Sequence, residues 1–453
     1  MIVVNILIGL VGLGFVVFVH ELGHMLAAKA VGIEVEAFSI GWGRKLVGYT
    51  WKGTDYRLSI FPVGGYCKMK GEQSYASALE NGDDAIPHEK GGFYAASPWR
   101  RIVTLLAGPI ANILLAILIL SIVWWIGFSV ESYENRIVLA SDYGTTTESP
   151  ADEAGLQTGD IVTAIDGTPV ESYTDLQQIV AQNALTELTF EITRDGRRLE
   201  IPVTPELVTE TGSGFIGVYP WVEPVVATVV DGSAADRVGF EPGDRVVSVG
   251  DVSIAHVWEF RERMERALAE SGAAGTVLVA RDGSRVSLDV DTSLEALNEG
   301  MNFATLTLPT PDYNLFQAIG RGTVESFRIL TVSVRSLRLL FQGVELRSAV
   351  AGPVRISYFI GDVATSGFQI GFGTGLRSLF NFLALLSVVL FFMNLLPIPV
   401  LDGGQILLAV VEWIRGKAPH PRTIYRYQLA GSVVVFALLF FALFGDILFL
   451  AGR

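Results

Sequence analysis

Cysteine is almost missing from this chain: Cys67 is the only one in 453 residues. A single thiol excludes an intrachain disulfide and any zinc cluster built on cysteines. Charge is also scarce. Only 18% of the residues are Asp, Glu, Lys or Arg, against about a quarter in an ordinary soluble domain, while 50% are apolar. The charge that is present is mostly acidic, 47 Asp and Glu against 33 Lys and Arg, for a net −14. That balance excludes nucleic acid as the main partner, because phosphate binding needs a basic face. Lysine is absent from residues 128–377, where 35 acidic residues face 18 arginines and leave a net charge of −17. What remains is a membrane protein with an acidic soluble part, too long for a single domain.

Four apolar runs are long enough to span a bilayer, which takes about 20 residues as helix. They cover 1–31, 102–128, about 376–404 (the apolar part ending near Leu396) and 429–450. The first run is not a cleavable signal, since its start, "MIVVN", lacks a basic region. The loop 32–101 carries nine Lys and Arg residues, and the loop 405–428 adds Arg415, Lys417, Arg422 and Arg426. The positive-inside rule makes that face cytoplasmic and puts the acidic segment and both termini on the opposite, outer side.

The acidic segment repeats itself. "SPADEAGLQTGDIVTAIDG" at 149–167 matches "SAADRVGFEPGDRVVSVGD" at 233–251 with a constant offset of 84. Each copy runs on through a polar helix-like stretch to a strand–turn–strand pattern, with the hairpin turn at Arg-Asp-Gly 194–196 and 281–283. Two copies of one small α+β module are expected, at 129–221 and 222–308. The "GLQTGD" and "GFEPGD" turns resemble those of bacterial PDZ domains, which bind peptide or protein termini by strand addition at a sheet edge. The competing reading is a pair of spacers that bind nothing.

Residues 309–375 differ. Arg321, Arg328 and Arg335 recur every seven residues, opposite an apolar stripe of Leu315, Ile319, Phe327, Leu330, Val334, Leu337 and Phe341. The spacing predicts an amphipathic helix lying on the membrane surface; a fifth span would carry four arginines at high cost. Asp446, near the end of the fourth run, reads as a boundary residue.

The chemistry sits in "HELGH". His20 and His24, at i and i+4, leave one helix face about 6 Å apart, which suits two corners of a zinc tetrahedron, and Glu21 follows the first ligand. Ionisable groups inside an apolar helix are costly and usually functional. A catalytic zinc needs a third protein ligand and one open position. Of the remaining histidines, His256 is on the wrong side, and His88 and His420 read as surface residues. Asp402, in "NLLPIPVLDGG", is the better candidate. His20 lies roughly 27 Å along its helix, near the cytoplasmic end, and the third run ends at similar depth. Pro397 and Pro399 break the helix before Asp402, and Gly403 and Gly404 are expected to let the backbone approach the metal closely.

With "HELGH", "AGPIAN" at 107–112, the tandem repeat and "NLLPIPVLDGG" at 394–404, nearly the whole chain resembles the site-2 protease family of intramembrane zinc metalloproteases, and within it the bacterial RseP group. The resemblance implies an α-helical membrane protein with four transmembrane helices and two inserted α+β PDZ-like domains. It implies one catalytic Zn2+ held by His20, His24 and Asp402, with Glu21 as general base. It also implies that Asn394 contacts the substrate backbone or oxyanion. Asn112 is a further substrate contact or a packing residue. The stretches 38–46 and 56–72 resemble the family's membrane-associated β-structure, with a bend at Gly64 and Gly65 whose edge can pair with an unwound substrate. Gln405 departs from the His that many relatives carry there. The implied substrates are single-span membrane proteins within the lipid bilayer, of the anti-sigma-factor type after a first cut, and signal-peptide remnants. The rival functions are a non-catalytic membrane-anchored PDZ scaffold, which leaves the histidines without purpose, and a metal transporter, which needs more spans.

Overall fold

Thirty residues from Ile2 to Val31 form one uninterrupted helix, α1, whose apolar surface runs all the way round. A helix of that composition is stable only in lipid or in a protein interior. The structure is a computed structural model, which describes residues 2–144, 148–209, 211–271, 275–339 and 351–451. It divides into two units: residues 1–128 with 311–453, and residues 129–310.

Among the described residues of the first unit, four helices are long and apolar enough to cross a membrane: α1, α3 (Pro98–Ile126), α6 (Phe372–Asn394) and α8 (Pro421–Ala451), the last with its apolar span ending at Phe449. Its other described helices are α2 (Ser74–Asn81), α4 (Leu315–Leu339), α5 (Pro353–Ile370) and α7 (Asp402–Arg415). Val16, Ile113, Leu120, Ile360, Leu383 and Val388 pack where α1, α3, α5 and α6 meet. Strands β1 (Val35–Trp51) and β2 (Thr54–Met69) fold into a curled antiparallel sheet. Residues 37–40 of β1 pair with 65–68 on one side and with 55–58 on the other, and 55–58 pair again with 47–50, so the segment 65–69 forms an edge.

The described residues of 309–370 hold α4 and α5, both packed on other helices of the unit. Helix α4 packs lengthwise on α3 through small residues four apart: Ala318 and Ser326 are fully buried, and a Cβ on Gly322 would fall 2.5 Å from Ser121 Oγ. Close backbone approach through small residues is how helices associate in lipid, where burying leucine gains little. Of the apolar stripe, Leu315, Ile319, Phe327 and Val334 are each more than 40% exposed, while Leu330 packs against the core of the bundle; Phe341 lies outside the described residues. Helix α5 packs against α1, where Asn5 Nδ2 donates to Asp362 Oδ1 at 3.1 Å. Asp446 is not a boundary residue. It is 2% exposed and accepts the Gly352 and Val354 backbone N–H groups at 3.0 Å each, capping α5 from α8.

The second unit contains the repeat as structure. One four-stranded antiparallel sheet has the order 168–169, 161–165, 188–194, 197–203, and the other 252–253, 245–249, 275–281, 284–290. Each packs on a helix, Tyr173–Gln182 and Val257–Ser271, over its own core. The Arg-Asp-Gly tripeptides make the hairpin turns, with Asp195 and Gly196 at φ 48° and 75° and Asp282 and Gly283 at 49° and 77°. A paired arginine explains part of the repeated Gly-Asp: Asp160 receives Arg194, and Asp244 receives Arg281, each through two bonds of 2.7 Å. Among the described residues, a cavity of about 630 Å³ is lined by Tyr133, Trp258, Arg261, Met301, Asn302 and Phe303 among others.

Candidate metal centre

Helix α1 delivers His20 and His24 one turn apart, 8% and 5% exposed, with their rings edge to face. Their Nε2 atoms are 3.1 Å apart. Asp402 arrives from 382 residues away. Helix α6 stops at Asn394, the chain turns through Leu395–Leu401, and α7 starts at Asp402 itself. Its Oδ2 lies 3.3 Å from His20 Nε2 and 3.4 Å from His24 Nε2. Gly403 and Gly404 are needed for the turn rather than for approach to a metal. A Cβ on either would strike the carbonyl of Leu395 or Ile398, at 2.3 and 2.1 Å.

The three atoms make a triangle with edges of 3.1, 3.3 and 3.4 Å. Ligand atoms on a tetrahedral zinc with bonds of about 2.0–2.1 Å stand about 3.3 Å apart, so the triangle matches one face of that tetrahedron. Asp402 Oδ2 is buried with no hydrogen-bond partner, an expensive arrangement unless a cation takes its lone pair. His24 Nδ1 lies 2.8 Å from the Thr104 carbonyl, which can only accept. Nδ1 therefore carries the proton, and Nε2 presents a lone pair to the triangle. His20 Nδ1 lies 3.3 Å from the Asn112 side-chain amide, whose Oδ1 is buried and unpaired. With the amide turned end for end, Oδ1 accepts from His20 Nδ1–H and frees the second Nε2 lone pair. Two imidazoles and a carboxylate with an open fourth corner are the donor set of a catalytic zinc.

Glu21 sits next to the cluster, where the Cys67 backbone N–H bonds to its carboxylate. The edge segment of β2 runs beside it. A Cβ on Gly65 would come 2.7 Å from the Ser39 carbonyl and 3.5 Å from Glu21 Cγ, while Gly64 adopts φ +80° against the Trp42 indole. Burial pushes the Cys67 thiol up, which keeps it a neutral core group. Asn394 ends α6, partly exposed, with no side-chain hydrogen bond among the described residues. Asn112 is completely buried and meets His20, so a direct substrate contact does not fit its position. None of the other histidines joins the cluster. His88 is exposed, His420 faces Asp84 at 3.4 Å, and His256 belongs to the second unit, where it bonds to Tyr143.

Two supports of His24 escape a reading by residue type. Thr104 acts through its carbonyl, which leaves no trace in the sequence. Gly108 gives the ring its room: a Cβ there would lie 2.2 Å from His24 Nε2. Its place inside an apolar helix is the one signal of a close approach.

Comparison with known proteins agrees with this geometry. The profile of peptidase family M50 matches residues 8–440. A protein of Treponema pallidum is 39% identical over 451 residues, covering 99% of both chains. One of Rhizobium meliloti is 30% identical over 97% of this chain and 95% of its own, and one of Borreliella burgdorferi 26% over 98% of each. All three bear the name "Putative zinc metalloprotease". The chain belongs to peptidase family M50, the site-2 proteases, and is a membrane-embedded zinc metalloprotease.

Proposed function

We propose that the chain cleaves the transmembrane segments of single-span membrane proteins at a zinc ion held by His20, His24 and Asp402. The observation that carries this reading is the convergence of three lone-pair-bearing atoms on one point between apolar helices. Zinc bound there supplies Lewis acidity toward the scissile carbonyl and the attacking water. Glu21 takes a proton from the attacking water and hands it to the leaving amine. The Cys67 N–H orients that carboxylate. Asn112 and the Thr104 carbonyl hold the two imidazoles in their working tautomers. Asn394, with its amide free at the broken end of α6, binds the substrate backbone. A transmembrane helix hides its peptide bonds in its own hydrogen bonds, so the substrate unwinds before the cut. The β2 edge at Gly64 and Gly65 offers backbone groups to pair with the unwound stretch.

The remaining assignments follow the charge distribution and the resemblance to the RseP group. The loops 32–101 and 405–428 face the cytoplasm, and the acidic unit and both termini face the periplasm of a bacterial inner membrane. The two repeated modules are PDZ-like, receive peptide or protein termini, and screen substrates by the size of their outer domain. The substrates are then anti-sigma-factor-type proteins already cut once and signal-peptide remnants, within regulated intramembrane proteolysis.

Glu21→Gln, assayed against a model single-span substrate in detergent or liposomes, tests the mechanism. Zinc stays bound and cleavage falls by about 10²–10⁴-fold. Undiminished cleavage would refute the role of Glu21, and a wild-type chain that cleaves nothing would favour a scaffold.

A further inference from the structure

Arg101, in the first turn of α3, is the one buried cation among the described lysines and arginines of the membrane unit, 4% exposed. Its Nη2 lies 2.5 Å from Oε2 of Glu412 on α7, whose side chain is 15% exposed. The guanidinium rests against the rings of Phe93 and Tyr94, with centroids at 5.8 and 5.5 Å. Among the described residues no second carboxylate lies within ion-pair distance of it. Replacing a buried pair of this kind by apolar residues often costs no stability, so stability alone is a weak reason to keep it; fixing the register of two elements is the better-attested use.

The register in question is that of the metal ligands. Arg101 is one turn before Thr104, whose carbonyl holds His24 Nδ1 at 2.8 Å. Glu412 lies ten residues beyond Asp402 on the same helix, about 15 Å along its axis. The ion pair therefore joins the helix that orients an imidazole to the helix that presents the carboxylate. Helix α7 also packs on α3, with Ala409 buried, but its polar ties are few: it follows the break at Leu395–Leu401, its N-cap residue Leu401 offers no side-chain bond, and the Tyr427 hydroxyl bonds to the Gly404 carbonyl at 3.1 Å.

We propose that Arg101 and Glu412 are positioning residues for the metal centre: their ion pair sets the rotation and axial register of α7 against α3, and so places Asp402 Oδ2 between the two imidazoles. This rests on the assignment of His20, His24 and Asp402 as zinc ligands.

The full chain in detergent, as Arg101→Gln, Glu412→Gln and the double variant, tests it. The measurements are zinc affinity by competition with a chromophoric chelator, the visible spectrum of the Co2+-substituted protein, and the melting temperature of the metal-free chain. Each single substitution is expected to weaken zinc about 10- to 100-fold and to diminish the Co2+ bands of the four-coordinate site, and to lower metal-free melting because it leaves one buried charge unpaired. The double variant is expected to bind no more weakly than the poorer single, because both remove one interaction, and to keep its metal-free melting largely intact. Wild-type zinc affinity in both singles overturns the proposal, as do losses that multiply in the double, or a loss in the double matched by an equal fall in its metal-free stability. If a single variant does not fold, the double, with two neutral amides face to face, decides: a tenfold loss of zinc affinity supports the proposal and wild-type affinity overturns it. Asp402→Ala alongside separates the two assignments. Zinc retained there overturns the ligand set and this proposal with it, whereas zinc lost there but kept by both amide singles overturns only the role of the pair.

Discussion

Adding one methyl group at Gly108 tests the geometry of the site more sharply than removing a ligand. An alanine Cβ at that position would fall 2.2 Å from His24 Nε2, 2.5 Å from Cε1 and 2.7 Å from Cδ2. Ordinary contact begins at 3.4 Å, so ring and helix must separate by at least about 1.2 Å. The ring has little freedom to yield. Its Nδ1 is tied to the Thr104 carbonyl at 2.8 Å, and α1 and α3 already touch one residue away, where a Cβ on Gly23 would sit 2.3 Å from the Ala107 carbonyl. Metal–ligand distances hold to within about 0.2 Å, so a displacement several times larger removes His24 as a ligand. Gly108→Ala is therefore expected to lose zinc by about 100-fold or more in affinity and cleavage with it, at an overpacking cost of about 1–3 kcal/mol that leaves the chain folded. Zinc per chain by mass spectrometry, circular dichroism and cleavage of a single-span substrate read the three effects. Gly320→Ala, where an added Cβ meets nothing within 4 Å, is the control and keeps all three. One zinc per chain and a rate within about threefold of wild type in Gly108→Ala would refute the placement of His24 against α3.

Two further outcomes follow from features away from the metal. His256 is buried, with burial lowering its pKa below 6.5, and its Nδ1 accepts the Glu259 N–H at the start of the helix Val257–Ser271. The unfolded chain takes up that proton more readily, so stability falls as pH drops below about 6.5; the depressed carboxylates Asp152 and Glu223 lose their contribution only nearer 4. The protection factors across 257–271, taken relative to the intrinsic exchange rate at each pH, should fall from pH 7.5 to 5.5 and become pH-independent in His256→Phe; a profile unchanged by that substitution would contradict the reading. Asp446→Ala removes the cap of α5 and leaves two buried N–H groups unpaired, at an expected cost of about 1–3 kcal/mol in denaturant or thermal unfolding, and a cost below about 0.5 kcal/mol would show the cap to be idle.

Much of this protein can be read from residue type and spacing, and the remainder divides along physical lines. The four apolar runs were legible because lipid imposes length and composition directly on a helix. His20, Glu21 and His24 were legible because one helical turn carries all the information. Asp402 needed a depth argument, since nothing local to "LDGG" distinguishes a ligand from a turn. The Arg-Asp-Gly hairpins and the Gly-Asp of each repeat were visible as a pattern, yet the partner that explains the aspartate, Arg194 or Arg281, shows only in the fold. Helix α4 shows the limit of a hydrophobic pattern: its apolar stripe is visible in the sequence, whereas its contact with α3 runs through the small residues Ala318, Gly322 and Ser326. Gly403 and Gly404 were misjudged because a glycine announces a close approach without naming what approaches. Asp446, Thr104 and Arg101 all act on backbone or charge from another segment, so a one-dimensional reading has no access to them.

The central claim is that side chains 382 residues apart share one ion. The most direct measurement is the zinc content of the purified full chain set beside that of Asp402→Ala after identical dialysis. One zinc per chain in the first and a fall to about a tenth or less in the second is the expected result. Full zinc in Asp402→Ala would contradict it.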